Sequence, residues 1–235
     1  MSGFLSPRSS EQEESHWLSV SDLMAGLMMV FLFIAVALMR QAFIERDMIK
    51  EVAIAYQENQ VAIYDALMAE FDKDLDRWDA VIDQDSLTFT FRSPDVLFEQ
   101  GSQNLSETYK VLLDDFFPRY MNVLEGFQNS INEVRIEGHT SSVWNYDTPE
   151  TTAYFNNMAL SQGRTRAVLA YVYGIPAVAS FQSWIKQNIA AVGLSSSKLV
   201  FNSDGSENED YSRRVTFRVI TNADIKMRQI LDTSS

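Results

Sequence analysis

Leu18–Met39, LSVSDLMAGLMMVFLFIAVALM, sets the class of this chain. From Leu23 to Met39 no side chain is charged, and a helix rising about 1.5 Å per residue needs roughly 20 apolar residues to cross a bilayer core. The stretch has that length. Helices buried in soluble proteins seldom run so far without a polar face, so it reads as a membrane span over residues 17–39. One ionisable side chain stands inside it, Asp22, followed by the small residues Ala25 and Gly26. A carboxylate in hydrocarbon costs on the order of 2.5–3.5 kcal/mol at mid-membrane and less near an end, so Asp22 is expected to face protein or water. Two roles fit this position. A low-dielectric setting disfavours the charged form of a carboxyl, which suits a group that takes up and releases a proton. The other role is an interfacial helix cap, which Ser19 and Ser21 would serve equally well.

The flanks bear on how the span is used. A secretory signal has a basic leading region, a shorter apolar core and a small-residue cleavage site. Here Glu11, Glu13 and Glu14 precede the span and no such site follows it, so the segment is expected to stay as an anchor. Met1–His16 is rich in Ser and Glu and reads as a flexible tail. Trp17 sits where an amphipathic ring favours the membrane interface. Arg40, Arg46 and Lys50 follow the span against Arg8 before it, and this count alone would put the C-terminal part in the cytosol.

The 235 residues carry a net charge of −13 and no cysteine. Disulfides and thiolate metal sites are thereby excluded. The acidic balance argues against nucleic acid, whose phosphates need clustered Lys and Arg. Outside the tail and span, about 195 residues remain, enough for one domain and a connecting element. No nucleophile elbow or phosphate-cradling Gly loop is present and His occurs only at His16 and His139, so no enzymatic role and no cofactor is expected.

Beyond Met39 the pattern runs without Gly or Pro to about Ile82, as a linker over 40–83. Ile49, Val52, Tyr56, Ile63, Leu67, Phe71, Leu75, Trp78 and Ile82 fall on one helical face at steps of three and four. Such a stripe either pairs with a second copy, giving a homodimer through the transmembrane and linker helices, or docks on the chain's own domain. Ser86–Phe91 alternates as a strand, Ser106 opens a helix to about Gly126, and Glu133–Gly138 is a second strand. Thr151–Tyr173 reads as a helix stopped by Gly174 and Pro176, with a shorter one over Ser180–Asn188. Lys198–Asn202 and Arg213–Ile220 read as two further strands flanking the acidic loop SDGSENEDYS, and Ala223–Leu231 as a last short helix in the 223–235 tail. The result is an α+β domain over residues 84–222, with strand and helix order βαβαββ.

Five segments carry a resemblance: VLFEQGSQNLS at 96–106, IEGHTS at 136–141, NMALSQGRTRAV at 157–168, VGLSSSKLVF at 192–201 and SRRVTF at 212–217. In this order they resemble the OmpA-like peptidoglycan-binding domain. The resemblance implies a wall-peptide site built from Thr140, Ser141, Asn157, Leu160, Ser161, Arg164 and Arg213. In that family an Asp and an Arg hold the amine and carboxylate ends of diaminopimelate. Arg164 occupies the Arg position, where its planar fork takes a carboxylate bidentately. Ser141 stands where the family has Asp, and a hydroxyl cannot neutralise an ammonium. The connection Ser142–Asn156 is longer than usual and contains Trp144, Tyr146 and Asp147; either Asp147 replaces the missing carboxylate or the loop covers the site. The alternative reading is a solvated helix face for Arg164 and Arg166 and a satisfied strand-end residue for His139.

The whole chain resembles a MotB-type stator B subunit, in which a Trp precedes the aspartate of the span by five residues as Trp17 precedes Asp22. The resemblance implies that Asp22 carries protons, that two such spans sit within a ring of polytopic A-type subunits in the inner membrane, and that the C-terminal domain grips peptidoglycan in the periplasm. That orientation, N-terminus inside, overrides the weak charge count. The short tail, the immediate linker helix and the divergent wall site are most similar to the stator-like subunits of Zorya antiphage systems, and the acidic tail departs from the typically basic one of flagellar stator subunits. A flagellar stator subunit and a passive wall tether without an ion role are the alternatives.

Overall fold

The computed structural model describes residues 10–92, 97–99, 101–145 and 147–222, with backbone alone at 10–16, 18 and 19. A single helix, α1 (Ser10–Leu75), contains the whole apolar stretch and continues to the domain. Between Pro7 and Pro94 the only Gly or Pro is Gly26. The 66 residues of α1 therefore extend without a break over about 100 Å. The expected flexible tail thus joins the helix from Ser10 onward. Among the described residues, α1 is the one helix that by itself is long and apolar enough to cross a membrane, and none of its apolar window is buried.

The last turns of α1 belong to the domain. Ile63, Leu67 and Phe71 are fully buried. Gln60 Nε2 donates to the carbonyls of Gln84 (2.8 Å) and Asp85 (2.6 Å), and Asn59 Oδ1 accepts from the Ser130 hydroxyl at 3.1 Å. This part of the linker stripe is spent on the chain's own core and is closed to a second copy. The helix also stops earlier than Ile82. It ends at Leu75, Asp79 takes a left-handed conformation (φ 45°), and Ala80–Asp83 forms a strand, β1.

β1 pairs antiparallel with β2 (Thr88–Phe91). Then follow α2 (Glu107–Glu125), a 3-10 turn at Gln128–Ser130 and β3 (Ile131–His139). After α3 (Glu150–Tyr173), a 3-10 turn (Pro176–Phe181) leads into α4 (Gln182–Asn188) and directly into β4 (Ile189–Gly193). A short α5 (Glu209–Ser212) precedes β5 (Arg214–Thr221). The sheet order is β1-β2-β5-β3-β4, with β3 and β4 parallel and the remaining pairs antiparallel.

The α+β class holds, with two corrections to its strands. Lys198–Asn202, expected to pair antiparallel with the last strand, is not a strand: it contributes one isolated bridge, Phe201 to Glu207, because both edges of β5 are taken, by β2 and β3. The long antiparallel partner of β5 is therefore β3. The helix expected over Ala223–Leu231 lies outside the described residues.

α2 starts as its sequence asks: the Ser106 side chain accepts the Tyr109 amide at 3.0 Å, satisfying one of the free donors of a helix start. Its buried face brings Phe116 to the centre of an aromatic cluster. Ring centroids of Phe71, Phe89, Phe91, Tyr120 and Phe217 lie 4.7 to 5.3 Å from that of Phe116. Phe71 comes from α1, so the same cluster fixes the stalk to the sheet. At its edge Arg119 bridges Glu70 (2.6 Å) and Asp74 (2.9 Å) of α1 and lies over the Phe71 ring.

Leu67→Ala is expected to destabilise the domain by about 2–5 kcal/mol. Val111→Ala, on the exposed surface of α2, should cost less than about 0.5 kcal/mol. Denaturant unfolding of the detergent-solubilised chain measures both, and equal, small effects would mean that α1 does not dock.

Candidate functional site

The C-terminal end of β3 meets α3 at close quarters. A Cβ placed on Gly138 would lie 2.8 Å from the Ser161 carbonyl oxygen and 2.9 Å from Thr165 Cγ2. One placed on Gly193 of β4 would lie 2.6 Å from Gln162 Cα. The absence of side chains on the two strands lets the helix backbone rest on them. Gln162 uses the proximity: its Oε1 accepts the Gly193 amide at 2.7 Å and its Nε2 donates to the Ala191 carbonyl at 3.1 Å.

Four of the expected site residues come together here. The Asn157 side-chain amide donates to the carbonyls of Ser141 (3.1 Å) and Val143 (3.4 Å), so it holds the chain as it leaves β3. The Ser161 hydroxyl donates to the Met158 carbonyl and accepts the Ser195 amide, each at 3.1 Å. Thr140 N–H donates to the Ser195 carbonyl at 3.0 Å. Thr140, Ser141, Asn157 and Ser161 are all buried. Leu160, half-buried on the same helix, belongs to none of these hydrogen bonds.

The two arginines stand apart from this cluster. Arg164 Nε donates to the Ser102 carbonyl at 3.0 Å, and its guanidinium lies 4.7 Å above the Phe98 ring, so it faces the loop ahead of α2. Arg213 is held by Asp210 (2.6 Å) and Glu209 (3.6 Å) on α5. Arg166 is exposed on α3, and Asp22 is exposed on α1. Asp147 is exposed as well, and Tyr146 lies outside the described residues. The carboxylate bonded to this connection is that of Glu207, which accepts from both the amide and the hydroxyl of Ser142.

Ser195 and Glu207 are the participants that the sequence does not announce. Ser195 is fully buried in a left-handed conformation (φ 52°) and also donates its hydroxyl to the Tyr154 carbonyl at 2.6 Å. Its only sequence signal is the run of three serines after Leu194. Glu207 sits in an acidic loop that reads as solvated, and its partner is 65 residues away.

His139 is buried at the strand end, its Nε2 3.7 Å from Glu137 Oε2 and its Nδ1 without a hydrogen-bond partner among the described residues. Burial, helped by the charges of Arg214 and Lys198 and opposed by Glu137, holds the imidazole below its ordinary value of 6.5. Among the described residues, no group of three His, Asp or Glu is placed to hold a metal ion.

A parallel β3–α3–β4 unit with a polar strand end is thus mounted on a helix able to cross a membrane. Residues 97–214 match the OmpA family. Over 221 residues the chain is 56% identical to the Zorya protein ZorB of Escherichia coli, with 94% of each chain covered. Solved structures of similar shape are more distant. They include a putative MotB-like protein from Desulfovibrio vulgaris (19% identity, 73% of this chain and 94% of that one, TM-score 0.45). The cell wall anchor of the T6SS from Pseudomonas aeruginosa is another (19% identity, 66% of this chain and 96% of that one, TM-score 0.45). The class is therefore an OmpA-family domain on an N-terminal apolar helix, an arrangement that fits a single-pass inner-membrane protein. Within it, the chain belongs to the ZorB family.

Gly193→Ala is expected to destabilise the domain by about 1–3 kcal/mol through overpacking against the α3 backbone. A thermal melt of the variant beside the parent checks it. A His whose folded value is depressed contributes stability that is complete above its unfolded value and is lost as pH falls below it. The melting temperature should therefore fall on going from pH 7.5 to pH 5.5, and His139→Gln should reduce that fall.

Proposed function

We propose that this chain is the wall-anchored B subunit of a proton-driven, stator-like complex of the inner membrane, acting in antiphage defence. The observation that carries this reading is kinship to ZorB over 94% of the chain, together with a single acidic side chain, Asp22, within the apolar stretch. Asp22 carries the proton. A carboxyl on an isolated apolar helix is costly in lipid, and a surrounding ring of polytopic A-type subunits supplies the polar surface it needs. Moving one charge through 100 mV is worth about 2.3 kcal/mol, which a few protons multiply into mechanical work.

The domain grips peptidoglycan, and the N-terminus lies in the cytoplasm with the domain in the periplasm. Thr140, Ser141, Asn157, Leu160 and Ser161 shape the wall-peptide site, Arg164 brings positive charge to its margin, and Arg213, whose charge Asp210 and Glu209 balance, helps to shape that margin. The Ser102 carbonyl and the Phe98 ring hold Arg164 in one orientation, which favours bidentate capture of a carboxylate. Above the docked turns of α1, the exposed side chains Phe43, Ile44, Met48 and Ile54 support pairing with a second copy through the upper stalk and the span.

Asp22→Asn is expected to abolish protection against phage and proton flow while the complex still purifies intact; a protective Asn variant would refute the proton role. Arg164→Ala should lose at least nine-tenths of its co-sedimentation with purified peptidoglycan, and unchanged pelleting would count against wall binding through this residue.

A further inference from the structure

Among the described residues β4 ends the sheet, with β3 on its inner side and no strand beyond it. Ile189–Gly193 pairs with β3 in continuous register and holds no charged residue and no Pro. The free N–H and C=O groups of an edge strand template pairing with another chain, and charges, Pro or bulges commonly guard against it. The strand at the opposite end, β1, closes on the carboxylate of Asp83. β4 carries no such guard of its own.

The guard comes from α3. The Leu194 N–H donates to the Gly138 carbonyl at 2.9 Å, and along a strand the main-chain groups aimed at one neighbour recur at every second residue. Ala190 and Val192 therefore turn theirs toward β3, and Ala191 and Gly193 turn theirs outward. Gln162 meets this outward row: its Nε2 donates to the Ala191 carbonyl at 3.1 Å and its Oε1 accepts the Gly193 N–H at 2.7 Å. One residue of an added parallel strand, set opposite Val192, would make the same two bonds. An antiparallel neighbour needs both groups of a single residue, and Gln162 holds one group of each. We propose that the outer edge of β4 is a strand-pairing surface shut by Gln162, and that the occupant it is shut against is the β4 edge of a second copy.

The seal is built in by the packing around it. A Cβ on Gly193 would lie 2.6 Å from Gln162 Cα, so α3 carries residue 162 directly over the strand and the side chain has only to reach around its edge. Gln162 is exposed, and water would satisfy its amide without any loss of rotamer freedom. Fixing both ends of that amide adds nothing to the core; it changes what the edge can bind. The choice of occupant rests on the pairing of copies through the stalk proposed above. An antiparallel contact of β4 with β4 sets the same strand on both sides, as a two-fold contact requires. Each stalk-bonded pair carries two such edges, and joining them across pairs would build an open chain of complexes. Gln162 confines association to the stalk.

The test follows the mass of the full chain in detergent by light scattering as its concentration rises. The parent should hold one mass throughout. Gln162→Ala should at least double that mass at the highest concentration. Adding Ala191→Pro to this variant should restore the parent's mass, because Pro removes an outward N–H and leaves the bonds to β3 in place. Amide exchange read by NMR checks the seal without any substitution: in the parent, the Gly193 N–H should exchange at least tenfold more slowly than that of Ala191. A Gln162→Ala chain that keeps the parent's mass at every concentration, a double variant that associates as the single one does, or a parent whose two amides exchange alike would each overturn the seal. A monomeric parent whose Gln162→Ala variant associates would refute pairing through the stalk and leave the seal standing.

Discussion

The contact between the α3 backbone and the bare strand positions Gly138 and Gly193 fixes the geometry of everything at the strand end. A helix standing off by the width of a methyl group would lift Ser161 away from the Ser195 amide and Asn157 away from the Ser141 carbonyl. Those two hydrogen bonds hold the chain on either side of the cluster. Side-chain hydrogen bonds to a main chain are worth about 1 kcal/mol each, and losing a buried partner costs more than that. The glycines make those bonds geometrically available, and the bonds in turn hold a non-glycine residue, Ser195, in a left-handed conformation.

The same constraint divides the candidate wall-binding residues into two kinds. Thr140, Ser141, Asn157 and Ser161 are all buried: Asn157 and Ser161 spend their side-chain polar groups on the fold, Thr140 and Ser141 are held through their main chain, and the Thr140 hydroxyl has no hydrogen-bond partner among the described residues. Arg164 and Arg213 are only partly buried; Arg164 is steadied by the loop ahead of α2, and Arg213 by the carboxylates of α5, the helix it directly follows. A motif that reads in sequence as one site is thus a scaffold with charges set at its margin. Glu207 adds a carboxylate to that margin from a loop that only the folded chain brings near.

Much of this was legible in the sequence where local chemistry decides the structure. Ser106 caps α2, Gly174 ends α3, and the alternation in Arg214–Thr221 gives β5. The failures share a cause. Ile189–Gly193 is short, rich in alanine and follows α4 without a turn residue, so nothing local separates it from the helix; its pairing with β3 makes it a strand. Lys198–Asn202 has the right residues for a strand but finds both edges of β5 occupied, by β2 and β3. β1 follows a helical pattern with no Gly or Pro to interrupt it, and only the left-handed turn at Asp79 parts the two. In the site, the family-like motif pointed to Asn157 and Ser161, whereas Ser195 and Glu207 act through contacts across 34 and 65 residues that no local pattern records.

The unbroken course of α1 couples two quantities that a flexible linker would leave independent. From Met39 to Asn59 the stalk counts about 20 residues, and each adds about 1.5 Å of height and about 100° of rotation. Elevation of the domain above the lipid and the compass bearing of Asp22 around the helix axis are therefore read from one residue count. Any lengthening of the stalk re-aims the carboxyl as it raises the domain, so reach and phase evolve together.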